Sequence, residues 1–409
     1  MRIVMVVGTW QATNGVVTSV RTFRKGLEAL GHQVRILVPA GSTAMVEPGV
    51  IALPAHLLAQ DYYRWSTDPA GMAAALGDEP VDIVHAHHLF QTGKLALGLA
   101  RHLGVPVVAT YHTLLEGYVH YAADFLLSGL PAEPANPLAW LRPMIAAPID
   151  EVARWYMPLH TRHLLNRFDQ VVVPSRPIAR LLRGQGVRGP IAIIPTGIRV
   201  KDYARKAANA ELRKLGIDPK RPFVLSVGRL AKEKNIWRLL EVFAQVHQAM
   251  PEVQLVLVGP GPELAAVQAW IRERGLSGSI VLTGRVETDQ LQPLYGRADV
   301  FFFPSLTDTQ AIVVVEAMAA GVPAVVSDQN GPATIVKHTK TGFVCSDETE
   351  AMSQALSKLL ADSELRKRQG QAAQSEALHY TVEATSRTME GLYRHVQQKF
   401  APGTVVATH

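Results

Sequence analysis

Short apolar runs rich in Val and Ile recur along the chain, and longer stretches with apolar residues three and four apart separate most of them. Residues 3–7, 33–37, 82–85, 106–110, 170–173 and 191–194 predict strands buried on both faces, with helices between them. The pattern restarts at 223–227 and continues through 254–258, 280–283, 300–303 and 324–327. The turn Pro195-Thr196-Gly197, followed by the charged, Ala-rich stretch 199–213, predicts the joint. The fold class expected is α/β: two doubly wound, Rossmann-like domains, 1–196 and 197–375. A helical segment at 376–400 then closes the chain with no strand after it. Doubly wound sheets bind ligands beyond the carboxyl ends of their strands, so two facing domains predict a site in a cleft.

Composition narrows the picture without changing it. A chain of 409 residues with 48% hydrophobic and 19% charged residues suits two soluble domains and excludes wholesale disorder. Cys345 is the single cysteine, which excludes a disulfide framework and fits a reducing compartment. The first apolar run is too short for a signal peptide, and no run reaches the ~18 apolar residues of a membrane span. The expected location is therefore cytoplasmic. Net charge is +6, but residues 171–240 carry 16 Lys/Arg against 4 Asp/Glu. Such a basic midsection suits anionic partners, or simply solvated helix faces. Nucleic acid is not expected, since no aromatic residues interleave with these cations as base stacking requires.

Four places carry candidate chemistry. The first strand ends at Gly8, and Gly15 and Val16 stand where the next loop meets a helix, where backbone N–H groups can approach a phosphate or sugar. This is not a dinucleotide fingerprint: the spacing is wrong, and no acidic residue follows the next strand. Arg229 and Lys234, in Gly228-Arg229-Leu230-Ala231-Lys232-Glu233-Lys234, lie past a strand end and could neutralise charge on a departing diphosphate. Asp308 and Glu316 stand eight residues apart across a strand end, a loop and a helix start. The N–H groups of Gln310, Ala311 and Ile312 would there present a positive helix end to a diphosphate. A buried Glu316 needs polar partners, and ribose hydroxyls would supply them. His85, His87, His88, His112 and His120 cluster in the first half without the acidic or cysteine neighbours of a zinc site, so no metal is expected. His112, at a strand end, is the candidate for touching substrate.

These residues together resemble the retaining GT-B glycosyltransferases of family 4. The family's glycine loop, G-R-L-x-x-E-K segment, V-G-x-G-P turn and E-x7-E appear here as Asn14-Gly15-Val16, residues 228–234, Val258-Gly259-Pro260-Gly261-Pro262, and Asp308 to Glu316. The likeness runs over residues 2–362 with the motifs in order. Residues 111–121, YHTLLEGYVHY, are similar to a segment of bacterial enzymes that glucosylate diacylglycerol. Two positions depart from that branch: Asp308 stands for the usual Glu and Ala311 for the usual Gly.

The resemblance implies hexose transfer from a UDP- or GDP-hexose with no cofactor. Arg229, Lys234 and the 310–312 helix end would hold the diphosphate. Glu316 would hold the ribose, Asp308 the sugar hydroxyls, and the backbone at Gly284, Arg285 and Val286 the base. His112 would orient the sugar. It further implies a C-terminal helix, within 376–409, packing back on the first domain. The acceptor expected is a membrane lipid such as diacylglycerol, met on the inner face of a membrane. The Pro-, Trp- and Leu-rich stretch 126–164, with Trp140, Trp155, Arg154, Arg162 and Arg167 in or near it, favours that acceptor. A soluble or polysaccharide acceptor, or a silent nucleotide-sugar-binding protein, stays open because of Asp308 and Ala311.

Overall fold

The computed structural model describes residues 1–11, 15–42, 47–59, 62–114 and 141–400, and of residues 58, 59, 62 and 141–150 the backbone alone. The chain forms two compact units, one of Met1–Gly197 with the chain from Val382 onward, the other of Ile198–Thr381.

The first unit runs β1 (Arg2–Val6), α1 (Gly15–Ala29), β2 (Gln33–Pro39), β3 (Val50–Leu53), β4 (Ala55–Ala59), β5 (Tyr62–Trp65), α2 (Pro69–Leu76), β6 (Ile83–Ala86) and α3 (Phe90–Leu103). It continues with β7 (Val107–Thr110), α4 (Leu141–Leu165), β8 (Gln170–Val173), α5 (Arg176–Gly184) and β9 (Ile191–Ile193). Seven strands form one sheet in the order β3-β2-β1-β6-β7-β8-β9, and β4 pairs with β5 as a separate antiparallel hairpin. The central strands are buried at four positions in a row because helices cover both faces.

The second unit holds α6 (Asn209–Lys214), β10 (Phe223–Val227), α7 (Ile236–Ala249), β11 (Gln254–Val258), α8 (Leu264–Glu273), β12 (Ile280–Gly284) and α9 (Thr288–Tyr295). After these come β13 (Val300–Phe303), α10 (Ile312–Ala319), β14 (Ala324–Ser327), α11 (Pro332–Ile335), β15 (Gly342–Cys345), α12 (Thr349–Ala361) and α13 (Ser363–Ala377). Its strands order as β12-β11-β10-β13-β14-β15, all pairs parallel. The last helix, α14 (Val382–Phe400), lies in the first unit. Its buried Val382, Ser386, Met389 and Tyr393 follow helical spacing and meet the Val16, Val20, Phe23 and Leu27 face of α1. Ser386 crowds Gly26 so closely that a side chain there would overlap its hydroxyl.

Strand order turns back between β1 and β6 in one sheet and between β10 and β13 in the other. A doubly wound sheet opens a crevice at such a switch point. The loops it selects are those after Val6, Ala86, Val227 and Phe303.

All eleven strands expected from the apolar runs are present. The structure adds β3, β15 and the β4–β5 hairpin. Each spans four or five residues, too few for a periodic signal of their own.

Candidate functional site

In the second unit the loop after β10 brings Arg229 and Lys234 to one place. Glu233 forces this geometry: its carboxylate is wholly buried and pairs with the half-exposed Arg229 guanidinium. Its backbone carbonyl meanwhile accepts from the Ser305 and Thr307 hydroxyls, 3.3 and 3.0 Å away, so the β10 and β13 loops are tied together. Lys234 Nζ lies 2.8 and 2.9 Å from the two Asp308 oxygens, with both side chains largely buried. Ser305 also donates to Asp308. The expected diphosphate cation and the expected sugar-binding carboxylate are thus ion-paired to each other. Arg229, Lys234, Gly228 and Phe303 line a small concavity at the β10 end.

Backbone contacts hold these loops. Gly228 N–H donates to Val258 O and Leu230 N–H to Pro260 O, both at 2.9 Å. The V-G-P-G-P turn therefore lies directly against the Gly228–Leu230 backbone, and a Cβ on Gly259 or Gly261 would come within 2.2 or 2.1 Å of a carbonyl oxygen. Gly331 braces the other loop: its N–H donates to Asp308 O at 2.9 Å, and a Cβ there would lie 2.4 Å from Thr309 O.

Glu316 sits on the fifth residue of α10, partly exposed. Tyr203 Oη donates to one carboxylate oxygen at 2.8 Å and Tyr295 Oη to the other at 2.6 Å. Burial pushes the carboxyl above the ordinary glutamate range, and the two phenol bonds oppose that. Gln310 and Ala311 are buried at the start of α10, while Ile312 is partly exposed. Gly284 ends β12 with its carbonyl accepting from Gly259 N–H at 2.8 Å. The next residue, Arg285, is exposed and pairs with Glu287 at 3.0 Å, and Val286 is partly buried.

In the first unit, His85, His87, His88 and His112 gather at the ends of β6 and β7. Buried His85 bonds Tyr393 Oη at 2.6 Å through Nδ1 and Thr110 Oγ1 at 2.7 Å through Nε2. His87 Nδ1 is 2.9 Å from His112 Nε2, and His88 Nδ1 accepts from Gly8 N–H at 3.0 Å. Burial is the main cause lowering all four pKa values, to about 3 for His85, to about 4 for His88, and well below the usual histidine range for His87 and His112. They are neutral imidazoles that hydrogen-bond. An unfolded chain binds protons near pH 6.5 where the folded one does not, so stability is complete above that pH and is lost as pH falls toward 3. The loss is roughly 1.4 kcal/mol per unit of difference for each enclosed ring. Thermal melts from pH 8 to pH 4 should show a melting temperature that declines steadily below about 6.5. A flat profile down to pH 5 would mean that the cluster takes up protons inside the intact fold.

Gly15 opens α1, and a Cβ built on it would meet no described atom within 4 Å. The Val16 side chain packs in the core, so only its backbone could serve a ligand. Asn14 and Leu115 to Tyr121, with His120 among them, lie outside the described residues.

Residues 13–202 match the family described as Glycosyltransferase Family 4, and residues 208–376 match Glycosyl transferases group 1. The chain is 30% identical over 321 residues to alpha-monoglucosyldiacylglycerol synthase of Streptococcus pneumoniae, covering 76% of this chain and 67% of that protein. The chain belongs to the family 4 glycosyltransferases. Its likeness to the synthase of the same name from Acholeplasma laidlawii is 28% over 93% of each chain. Sucrose-phosphate synthase from Thermosynechococcus elongatus superposes with a TM-score of 0.76 at 21% identity, over 97% of this chain and 99% of that one. The fold is GT-B, and the protein is an enzyme, a glycosyltransferase.

Sequence reasoning passed over Tyr203, Tyr295, Ser305 and Gly331 in this glycosyltransferase. Glu233 and Ser305 did have a signal, their places inside the G-R-L-x-x-E-K segment and the segment 304–317. Ala311 explains why the family uses glycine there: φ is 64° and ψ 70°, the left-handed region, at the cap of α10. An alanine there carries roughly 1 kcal/mol of strain. Ala311→Gly is therefore expected to raise unfolding stability by about 1 kcal/mol, read as a higher urea midpoint at unchanged slope. A lower midpoint would show that chain entropy outweighs that strain.

Proposed function

We propose that this glycosyltransferase moves a hexose, glucose by its likeness to the monoglucosyldiacylglycerol synthases, from a UDP- or GDP-hexose to a lipid hydroxyl with retention. The observation carrying the donor half is the cluster at the β10–β13 switch point. Arg229 and Lys234 line the concavity at the β10 end and would there form a cationic wall for a diphosphate. The C1–phosphate bond breaks as the acceptor oxygen bonds C1 on the same face, and the acceptor's proton passes to an oxygen of the departing phosphate. The leaving group is thus its own base. Asp308 serves the sugar hydroxyls and releases Lys234 to the diphosphate as the donor arrives. Glu316 holds the ribose. The backbone at Gly284, Arg285 and Val286 holds the base, the N–H groups of Gln310, Ala311 and Ile312 the phosphates, and Gly15 with Val16 the donor's other end. His112 orients the transferred sugar.

The acceptor half rests on α4. Its Val152, Trp155 and Tyr156 share one face and are 65%, 72% and 48% exposed, while Ala153, Thr161 and Leu164 are buried on another. Arg154, Arg162 and Arg167 are exposed on or near it. An aromatic, apolar face beside cations suits the headgroup layer of an anionic membrane, with roughly 1 kcal/mol per cation near the surface. No helix among the described residues is long and apolar enough to cross a membrane. The stretch's Trp140 lies outside the described residues.

The protein is expected to float with vesicles of phosphatidylglycerol and diacylglycerol at low salt, less so at high salt, and to make glucosyldiacylglycerol from UDP-glucose. Trp155→Ser should cut the floating fraction severalfold. No flotation, together with no glycolipid from a panel of nucleotide sugars, would transfer the assignment to a soluble acceptor.

A further inference from the structure

The two phenols on Glu316 do more than satisfy a carboxylate. Tyr203 comes from the short 3-10 turn Val200–Tyr203 and Tyr295 from the last residue of α9. Their rings meet edge-on at 5.8 Å, and Tyr295 also packs on Phe301 of β13. Both are buried, at 7% and 1% exposure, and burial beside Glu316 holds both phenols protonated. They are thus fixed donors, each aimed at a different oxygen of one carboxylate. Each oxygen of an ionised carboxylate accepts about two hydrogen bonds. With one lone pair on each occupied by a tyrosine, one on each remains.

A partly exposed carboxylate with one acceptor site left per oxygen suits two adjacent hydroxyls. Removing either phenol frees the carboxylate to rotate about its terminal torsion, which is broad when unrestrained. The helix around Glu316 offers no other polar side chain to replace them, since α10 reads IVVVEAMA.

We propose that Tyr203 and Tyr295 are positioning residues that clamp the Glu316 carboxylate so that it takes the 2′- and 3′-hydroxyls of the donor's ribose as a pair. This rests on the ribose role proposed for Glu316 and adds a source of specificity: the clamp makes recognition of the diol cooperative, and a deoxyribose loses it. Neither tyrosine touches the reacting atoms, so their loss acts on donor binding and not on the chemical step.

The test is titration of the full-length protein with UDP, GDP and their 2′-deoxy counterparts, together with steady-state transfer. For whichever of UDP and GDP binds, wild type should prefer the ribonucleotide by roughly tenfold or more. Tyr203→Phe and Tyr295→Phe should each raise donor KM roughly three- to tenfold, hold kcat within about twofold, and narrow the ribo/deoxy ratio. The double variant should nearly abolish that preference. Glu316→Gln separates the two levels of the argument. If it binds both nucleotides like wild type, the ribose role of Glu316 fails and the clamp with it. If it weakens binding while both Phe variants keep wild-type KM and ratio, the clamp alone is overturned. A Phe variant that lowers kcat at unchanged KM also overturns it. Because the two tyrosines sit on different elements, one substitution that fails to fold leaves the other to decide.

Discussion

Lys234→Ala is expected to lower kcat/KM for sugar transfer by roughly a hundredfold or more while the protein melts within a few degrees of wild type. The activity loss follows from where charge develops: the departing diphosphate gains negative charge as the glycosidic bond breaks, and a preorganised cation there contributes on the scale of one oxyanion-hole donor. The small stability change follows from the geometry of the resting pair. Lys234 and Asp308 are each a little under one-fifth exposed and solvated at the rim of the site. Asp308 keeps its bond from Ser305 when the lysine is removed. Two readouts on one variant therefore decide the matter. Near-normal turnover would mean that the diphosphate is neutralised elsewhere. An activity loss that merely tracks unfolded protein would make the lysine structural. Asp308→Asn sharpens the contrast, because it leaves the cation in place and removes its resting partner.

Gly259→Ala is expected to be strongly damaging for so small a substitution, at about 3 kcal/mol of stability together with lost activity. Gly259 has φ of 131°, a conformation that side-chain-bearing residues rarely adopt, and an added Cβ would sit 2.2 Å from Gly228 O. The obstacle is backbone, not the end of a flexible side chain, so relief requires the β10 or β11 loop to move. Motion of the β10 loop would displace Gly228 and Arg229 from the diphosphate wall proposed above. The comparison is Gly15→Ala, where the Cβ meets no described atom and stability should be unchanged, so any activity lost there reflects crowding of a ligand. If Gly259→Ala unfolds at the wild-type midpoint, the close approach of the two loops is not a constraint in solution.

These two positions mark how legible the chain was. The alternation of Val- and Ile-rich runs with amphipathic stretches, in order, determined the two Rossmann-like halves, because burial of a parallel strand on both faces leaves its mark on every residue of the run. Motifs at strand ends, residues 228–234 and 308–316, pointed to the loops proposed to hold the donor, since a helix end and clustered cations are local features. The resemblance those motifs carried extended to the family.

Which strands are neighbours is a long-range fact, and only the sheet order placed the β10 and β13 loops at one switch point. Pairing of Lys234 with Asp308 spans 74 residues, and that of Tyr203 with Glu316 spans 113. No periodicity records such contacts, because each partner obeys only the local rules of its own element. His85 reaches further still: its bond to Tyr393 crosses 308 residues, from β6 to α14. The sequence showed His85 only as one of a cluster of histidines; the fold supplies its partners, Thr110 from β7 and the Tyr393 phenol from α14.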